Sequence, residues 1–140
     1  MRILGIDFGD RVIGLALSDE SKTIAFPLDS YRRKNEKSDY EYFKKIVDNW
    51  KIEKIIVGNP VRMNGSAGVR VKKTEDFVEW LKKNFNVDIE LWDERLSTKE
   101  AEKLLLSAKM KWKKRRKIVD KISASLILES YLYAVPTKED

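Results

Sequence analysis

Residues 3–19 of this chain are ILGIDFGDRVIGLALSD, and their pattern predicts the part of the sheet around which the rest of the fold is arranged. It contains two apolar runs rich in strand-forming residues, at 3–8 and 12–17, which are separated by a glycine and two charged residues at 9–11. This pattern predicts two antiparallel strands joined by a tight hairpin. Asp7 is the single charged residue of the first run, so a reason for its presence there has to be sought elsewhere in the chain.

The remainder of the chain shows strand patterns that alternate with helix patterns. The predicted elements are a strand at 23–31, a helix around 43–50, a strand at 54–58, a helix around 77–85, a strand at 87–92, a helix that begins at the capping box of Ser97 and Glu100, and a helix over 119–133. Pro27 favours an edge position or a bulge for the third strand. Strands that alternate with helices pair in parallel through crossover connections. The sequence therefore predicts an α/β fold: a five-stranded mixed sheet, with three antiparallel strands followed by two parallel ones, and helices on both faces.

Length and charge bound the class of protein. The chain has 140 residues, so we expect a single domain over residues 1–140. No stretch approaches the roughly 20 apolar residues of a membrane span, and the amino terminus shows no signal-peptide pattern. A soluble, cytoplasmic protein is expected. The formal net charge of +6 favours association with a polyanion.

Two absences narrow the chemistry further. The chain contains no cysteine and no histidine. Thiol catalysis, disulfides, histidine triads and the usual zinc sites are thereby excluded. A bound metal ion would have to be held by oxygen atoms, which predicts Mg²⁺ or Mn²⁺ as the cofactor.

Asp7 is the first candidate ligand. Strand alternation places Ile3, Gly5 and Asp7 on one face of the sheet. A carboxylate is disfavoured in a strand and is costly when buried, charged and unpaired, so Asp7 needs a compensating group. It is either the acceptor of an Asx-type turn ahead of Gly9 or a ligand. Gly5 and Gly9 favour the ligand role, because we expect them to leave room for a metal ion or phosphate. A bulky side chain at Gly9 is then expected to impair activity at this site more than folding.

Two further acidic positions are candidate partners of Asp7. Asp93 and Glu94 follow a strand pattern, and because neighbours in an extended chain point to opposite faces, only one of them is expected in a shared site. A surface ion pair with Arg95 is the alternative role. Asp120 begins the last predicted helix, where a cap or a partner of the helix dipole is the ordinary role of an aspartate.

A basic run precedes Asp120. Seven of the nine residues from 109 to 117 are basic, and a tryptophan interrupts them. Such a run is usually solvated surface, but this one ends three residues before a carboxylate, which suits a role in leading phosphates to a metal ion. Non-specific nucleic-acid binding is the more frequent role of such a run, and metal-assisted phosphodiester chemistry the more specific one. With one arginine of the hairpin, the candidate nucleic-acid-binding residues are Arg11, Lys109, Lys111, Trp112, Lys113, Lys114, Arg115, Arg116 and Lys117.

The three acidic positions suggest one reaction if they converge. Carboxylates that lie close together repel one another and raise one another's pKa unless a divalent cation lies among them. Two ions about 3.5–4 Å apart activate a water molecule and stabilise the leaving oxygen of a phosphodiester. The sequence therefore predicts metal-dependent phosphodiester cleavage by Asp7, one of Asp93 and Glu94, and Asp120.

Four segments resemble a known family. GIDFGDRVIGLALSD at 5–19, VGNPVRMNGSAG at 57–68, DERLST at 93–98 and KIVDKISASLILESYL at 117–132 are similar to the YqgF proteins, also called RuvX. The resemblance implies an RNase H-like fold of the Holliday-junction-resolvase type. It also implies a metal-dependent nuclease that matures the 5′ end of precursor 16S ribosomal RNA.

Carried over residue by residue, the family's acidic site corresponds to Asp7, Glu94 and Asp120, with Asp93 as the alternative middle ligand. The loop Asn64, Gly65 and Ser66 leads into a predicted helix whose free amides are suited to a phosphate, although such a loop is more often a simple turn. Many relatives have two alanines after the last acid, where this chain has Ser123 and Ala124 at the corresponding positions. Both are small, so close packing of the last helix on the sheet is expected.

Three other functions stay open at this point. The first is cleavage of branched DNA of the Holliday-junction type, which requires two active sites and hence a homodimer rather than a monomer. The second is a non-catalytic RNA-binding factor for ribosome assembly. The third follows from DFGD at 7–10, which is similar to the phosphate-binding strands of actin-like ATPases and sugar kinases; those proteins close two such domains on a nucleotide, and 140 residues do not supply two.

Overall fold

A computed structural model describes residues 1–59, 67–93 and 112–134, with the backbone alone at 67–70, 93 and 112–119. In chain order, the elements are β1 Arg2–Asp7, β2 Val12–Ser18, β3 Ala25–Arg32, α1 Glu36–Asn49, β4 Ile52–Asn59, α2 Ala67–Asn84, β5 Asp88–Asp93 and α3 Trp112–Ala134. The predicted helix that begins at Ser97 lies outside the described residues. Within the described ranges, no helix has the length and apolar content needed to cross a membrane.

The five strands form one mixed sheet in the order β3-β2-β1-β4-β5. β1 pairs antiparallel with β2, and β2 pairs antiparallel with β3. β4 pairs in parallel with β1 on one side and with β5 on the other. The predicted sheet of three antiparallel strands followed by two parallel ones is confirmed.

Helices cover both faces of the sheet, as predicted. On one face, Leu4 and Ile6 of β1 belong to a core cluster that also contains Phe43 of α1 and Leu81 of α2. On the other face, Ile3 belongs to a second cluster, which is formed largely by α3. The alternation predicted for β1 therefore separates two cores, and Asp7 shares its face with Ile3 and not with Leu4.

β3 is an edge strand with an irregular register at its proline. Leu15 of β2 is opposite Asp29, whereas the next residue, Ala16, is opposite Pro27, so one residue of β3 is left over. Proline has no amide hydrogen to donate to a neighbouring strand, which restricts it to edges and bulges. The structure confirms both features that Pro27 predicted.

α3 begins earlier than the sequence pattern predicts. The pattern places the start of this helix at residue 119, whereas the helical backbone begins at Trp112. Asp120 is therefore inside the helix rather than at its amino terminus, and the cap role considered for it is wrong. The basic run hides the start of the helix, because lysine and arginine are good helix formers without an apolar periodicity.

The two glycines beside Asp7 do not serve the purpose expected of them. A Cβ atom at Gly5 would lie 2.8 Å from the Cβ atom of Leu128 and 3.2 Å from the carbonyl oxygen of Ala124, so the space at Gly5 holds α3. A Cβ atom at Gly9 would overlap the carbonyl oxygen of Val12. Gly9 thus allows the hairpin to close, and a side chain there acts first on folding, contrary to the sequence-based expectation.

The turn from β2 to β3 is held by the carboxylate of Asp19. Its Oδ1 accepts hydrogen bonds from the amides of Thr23 and Ile24 at 2.8 and 3.0 Å. Its Oδ2 accepts from the hydroxyls of Ser21 and Thr23 at 2.6 and 3.0 Å. Since these donors stabilise the charged form, with Ser21 the largest contributor, they hold the pKa of Asp19 well below its ordinary value.

Asp19 makes the stability of the hairpin turn depend on pH. Its pKa in the folded protein lies below the value of about 3.9 in an unfolded chain, so its contribution is complete above pH 4 and is lost as the pH falls further. We expect Asp19→Asn to lower the free energy of unfolding at pH 7 and the difference from the unsubstituted protein to shrink as the pH falls below 4. Urea unfolding monitored between pH 2.5 and 7 measures it, with Glu41→Gln, an exposed acid of α1, as the control; a difference independent of pH would contradict the assignment.

Candidate functional site

Asp7 ends β1 and lies at the carboxyl edge of the sheet. The residue is 8% exposed, which makes it one of the few buried acids of the described chain. It shares the face of Ile3 and Gly5, on which α3 packs. Asp7 is thus a buried carboxylate beneath the last helix.

Residues without side chains flank Asp7 on both neighbouring strands. In β2, its antiparallel partner is Gly14. In β4, Val57 is the partner of Ile6, so the parallel register continues to Gly58 beside Asp7. The neighbouring strands therefore contribute no side chain next to this carboxylate.

The backbone of α3 occupies the space above Gly14. A Cβ atom at Gly14 would overlap the carbonyl oxygen of Asp120 and would lie 3.1 Å from the amide nitrogen of Lys121. Gly14 and Asp7 are directly opposite in an antiparallel pair, where Cα atoms are about 4.5–5.5 Å apart. The fold therefore brings Asp120 to the position above the partner of Asp7.

Helical periodicity places Asp120 on the face of α3 that contacts the sheet. Ala124 and Leu128 follow it at intervals of four residues, and both are fully buried against β1. Residues four apart share one face of a helix. Asp120 is half-buried. Two of the three predicted acidic positions, Asp7 and Asp120, thus meet at the same end of the same face.

The third acidic position lies at the limit of the described chain. Asp93 is the last residue of β5 and is the register partner of Asn59 in β4. Glu94 lies outside the described residues. Among the residues that the structure describes, no three acidic side chains lie close enough to hold a metal ion together.

Trp92 shows which face of β5 is turned toward α3. Its indole nitrogen donates a hydrogen bond to the hydroxyl of Ser130 at 3.2 Å, and its ring packs edge-on against Tyr131 at 5.2 Å. Leu91, the preceding residue, packs against the opposite core, with α1 and α2. Trp92 is therefore on the same face of the sheet as Asp7.

The donor atoms at this edge are suited to a hard divalent cation. Asp7 and Asp120 supply carboxylate oxygens, and the chain has no thiol or imidazole to offer. Oxygen-only donors match Mg²⁺ and Mn²⁺, and a cation offsets the repulsion between two neighbouring carboxylates. On the chemistry of its donors, this edge of the sheet fits the predicted metal ions.

The predicted nucleic-acid contacts are only partly described. The backbone of Trp112–Lys117 is helical and forms the first turns of α3, whereas Lys109 and Lys111 lie outside the described residues, as do Asn64, Gly65 and Ser66. Arg11 is exposed, and its carbonyl oxygen accepts a hydrogen bond from the amide of Arg33 at 2.8 Å. One helix thus carries both part of the basic run and Asp120.

A groove of about 430 Å³ lies apart from these acids, on the α1 and α2 side of the hairpin. Its walls include Phe8, Phe77 and Trp80, and an ion pair at 3.1 Å joins Asp10 to Lys73 beside it. The lining contains neither Asp7 nor Asp120. We therefore assign the candidate site to the sheet edge and not to this groove.

Gly14 and Gly58, the residues beside Asp7 on the two neighbouring strands, are not among the sequence-based candidates. A glycine inside a strand pattern often marks a close approach of another backbone, and VIGLAL at 12–17 carried that signal. Nothing in the sequence, however, identified the backbone that approaches.

Two solved structures share this fold. One is described as T. thermophilus RuvC in complex with Holliday junction substrate (TM-score 0.59, 14% identity, covering 96% of this chain and 94% of that one). The other is the Fowlpox virus resolvase with substrate Holliday junction DNA (TM-score 0.56, 13% identity, covering 98% and 100%). These likenesses confirm the predicted RNase H-like fold of the resolvase type.

Curated relatives are much closer in sequence. A protein of Halothermothrix orenii is 46% identical over 132 residues, covering 94% of each chain. A protein of Thermoanaerobacter pseudethanolicus is 46% identical over 133 residues, covering 94% of this chain and 96% of its own. A Clostridium botulinum protein is 44% identical over 132 residues, with the same coverage. All three carry the name "Putative pre-16S rRNA nuclease".

Residues 1–134 also match the family model described as RuvX: Holliday junction resolvase. The match spans the β1–β2 hairpin, the helices α1 and α2 that pack on the first core, and α3 with Asp120. With relatives of 44–46% identity along nearly the whole chain, it shows that this protein belongs to the RuvX family.

Proposed function

We propose that this protein is a divalent-metal-dependent endonuclease that cleaves phosphodiester bonds of structured nucleic acid and processes the 5′ end of precursor 16S ribosomal RNA. The reaction is a hydrolysis, and Asp7, Glu94 and Asp120 are the metal-binding and catalytic residues. Such a role places the protein in the cytoplasm, where ribosomes are assembled.

The observation that carries this proposal is the position of Asp120 above Gly14. Gly14 is the cross-strand partner of Asp7, so a first-strand acid and a last-helix acid meet at the carboxyl edge of the sheet. If Asp7 were only the acceptor of a turn, it would not need a second acidic residue near it from a position more than 100 residues later in the chain. Convergence of two acids is expected of a cation site and costly without one.

The division of labour within the site follows from the chemistry of the donors. When bound, Mg²⁺ or Mn²⁺ supplies the Lewis acid that phosphodiester hydrolysis requires. Asp7, buried on a central strand, is the rigid ligand, and Asp120, on the helix, supplies a second carboxylate from above the sheet. Gly14 of β2, beside Asp7, allows the backbone of Asp120 to approach the sheet at this point.

Strand alternation favours Glu94 over Asp93 as the third ligand. Trp92 is on the face of α3 and Asp7, and Leu91 is on the opposite face. Because alternate residues of an extended chain share a face, position 94 continues the face of Trp92 for as long as the chain stays extended, and position 93 does not. The same choice follows from the resemblance to the family motif.

The helical backbone of the basic run supports a role in holding the substrate. Trp112 and Asp120 are eight residues apart on one helix, which corresponds to about 12 Å along its axis. Lysines and arginines within that distance of a metal site bind phosphates of a nucleic acid that reaches it. The run therefore extends the site toward substrate rather than forming an unrelated surface.

Ribosomal RNA is favoured over branched DNA because of sequence similarity. The relatives named for pre-16S rRNA are 44–46% identical to this chain, whereas the structures with junction DNA are 13–14% identical. Trimming one RNA end requires one active site, so a monomer suffices, whereas junction resolution requires a homodimer. A substrate comparison with precursor RNA and a four-way DNA junction separates the two, and preferential cleavage of the junction would contradict the RNA assignment.

We expect Asp7→Asn and Asp120→Asn each to lower the rate of cleavage of precursor 16S RNA by about 100-fold or more, because each removes a charged ligand from a metal that supplies several kcal/mol. Rates measured with purified protein in Mg²⁺ and Mn²⁺ test this. Asp10→Asn is the matched control, since Asp10 lies three residues from Asp7 but pairs with Lys73 of α2. Unchanged cleavage by Asp7→Asn would place the metal elsewhere, and RNA binding without cleavage in any metal would identify a non-catalytic assembly factor.

Glu94→Gln and Asp93→Asn distinguish the two candidates for the third ligand. We expect Glu94→Gln to lower cleavage by a factor on the order of that for Asp7→Asn, and Asp93→Asn to retain most of the rate, since alternation turns position 93 away from Asp7. The same cleavage assay measures both variants. The reverse ranking would show that the strand does not continue in the expected register.

Two adjacent lysines of the basic run give a test of substrate binding. We expect Lys113→Gln with Lys114→Gln to weaken RNA binding and to reduce the slope of log K against log salt by about 1.4, the loss of two phosphate contacts on a single strand. Lys82→Gln with Lys83→Gln, in the last turn of α2, is the matched control. Fluorescence anisotropy at several salt concentrations measures the slope, and an equal change in both pairs would assign the effect to net charge alone.

A further inference from the structure

The backbone of α3 approaches the sheet closely at Gly14. The atoms that a Cβ would meet there are the carbonyl group of Asp120 and the amide of Lys121, all of which belong to the helix backbone. A backbone cannot rotate aside as the end of a flexible side chain can. Any side chain at position 14 would therefore displace the helix, the strand, or both.

We propose that Gly14 is a positioning residue for Asp120: its lack of a side chain allows α3 to rest on β2 at the level of Asp7, which sets the separation of the two carboxylates. This inference rests on the proposed function, in which these two acids hold a divalent cation. Gly14 itself touches neither substrate nor metal and acts through the carbonyl group of the residue that it supports.

A second glycine allows a close approach at another point of the same helix. Gly5 of β1 meets the Cβ atom of Leu128 and the carbonyl oxygen of Ala124. Asp120 and Leu128 are separated by about 12 Å along the helix. Two contacts this far apart determine both the tilt of α3 relative to the sheet and its distance from the sheet. The contact at Gly14 is the one that positions Asp120.

The choice of glycine at position 14 is costly for the strand itself. Glycine within a strand loses more conformational entropy on folding than other residues and has no side chain to pack. Gly14 lies inside β2, between the fully buried Ile13 and Leu15, where an apolar residue would otherwise be preferred. A requirement for helix approach at Asp120 explains why the strand carries glycine there.

Metal binding by the full chain tests the inference without relying on catalysis. Mn²⁺ affinity is measured by titration calorimetry for the unsubstituted protein, Gly14→Ala and Gly5→Ala, after circular dichroism has shown that each is folded. We expect Gly14→Ala to weaken Mn²⁺ binding by about tenfold or more, as for residues that support metal ligands. Gly5→Ala also disturbs the seat of α3, but two turns away, and is expected to change the affinity by less than about threefold.

A longer acid at position 120 supplies the second variant. Glutamate extends the carboxylate by one methylene, so in the background of Gly14→Ala the substitution Asp120→Glu is expected to restore part of the lost affinity. In the unsubstituted background the same change is expected to weaken Mn²⁺ binding, because it moves the carboxylate by one methylene from the position that the contact at Gly14 sets. If Gly14→Ala does not fold, Asp120→Glu alone decides, and unchanged Mn²⁺ affinity would overturn the inference.

The remaining outcomes separate this inference from the proposed function. If the unsubstituted protein binds no Mn²⁺, or if Asp7→Asn binds it equally well, the metal site itself is wrong. If the unsubstituted protein binds Mn²⁺ through Asp7 and Gly14→Ala binds it as tightly, the metal site stands and the positioning role is refuted. If Gly14→Ala and Gly5→Ala weakened Mn²⁺ binding equally, Gly14 would be only a general packing position for α3, and its specific positioning role would be refuted.

Discussion

The contact between the backbone of α3 and the glycines of the first two strands is the constraint on which the rest of the molecule depends. It is made where Gly14 meets Asp120 and where Gly5 meets Ala124 and Leu128. Because the helix approaches so closely, its small and apolar residues are buried on the sheet, and the second core forms around them. The same contact brings an acid of the last helix above the second strand, where Gly14 is the partner of Asp7.

This arrangement explains how a basic chain can hold a concentrated negative charge. The net charge is +6, yet two acidic residues, Asp7 and Asp120, lie at one edge of the sheet, and Asp7 is only 8% exposed. Two carboxylates held close together repel one another, and the divalent cation of the proposed function would offset that repulsion. One helix, α3, contains both part of the basic run and Asp120.

The differences between prediction and structure have identifiable physical causes. Apolar alternation in β1 was sufficient to assign Ile3 and Asp7 to one face, since each face buries a separate core. The apolar pattern places the start of α3 seven residues too late, because the charged residues before it have helix propensity but no apolar periodicity. Gly5 and Gly9 predict room for a ligand beside Asp7, whereas the space at these glycines is filled by the protein's own backbone and side chains. A glycine in a sequence indicates that another part of the protein comes close to the backbone there, but it does not identify that part.

The hairpin, the mixed sheet, the oxygen-only donor set and the candidate acids are predictable from the amino-acid sequence, because they follow from local periodicity and residue chemistry. The three-dimensional packing was needed to show that Asp120 lies inside a helix, that this helix rests on Gly14, and that Asp7 and Asp120 lie at the same edge of the sheet. These are contacts between residues more than 100 positions apart, and no local pattern encodes them. They arise from the packing of a complete helix against a complete sheet, in which the two glycines set how near the helix can come.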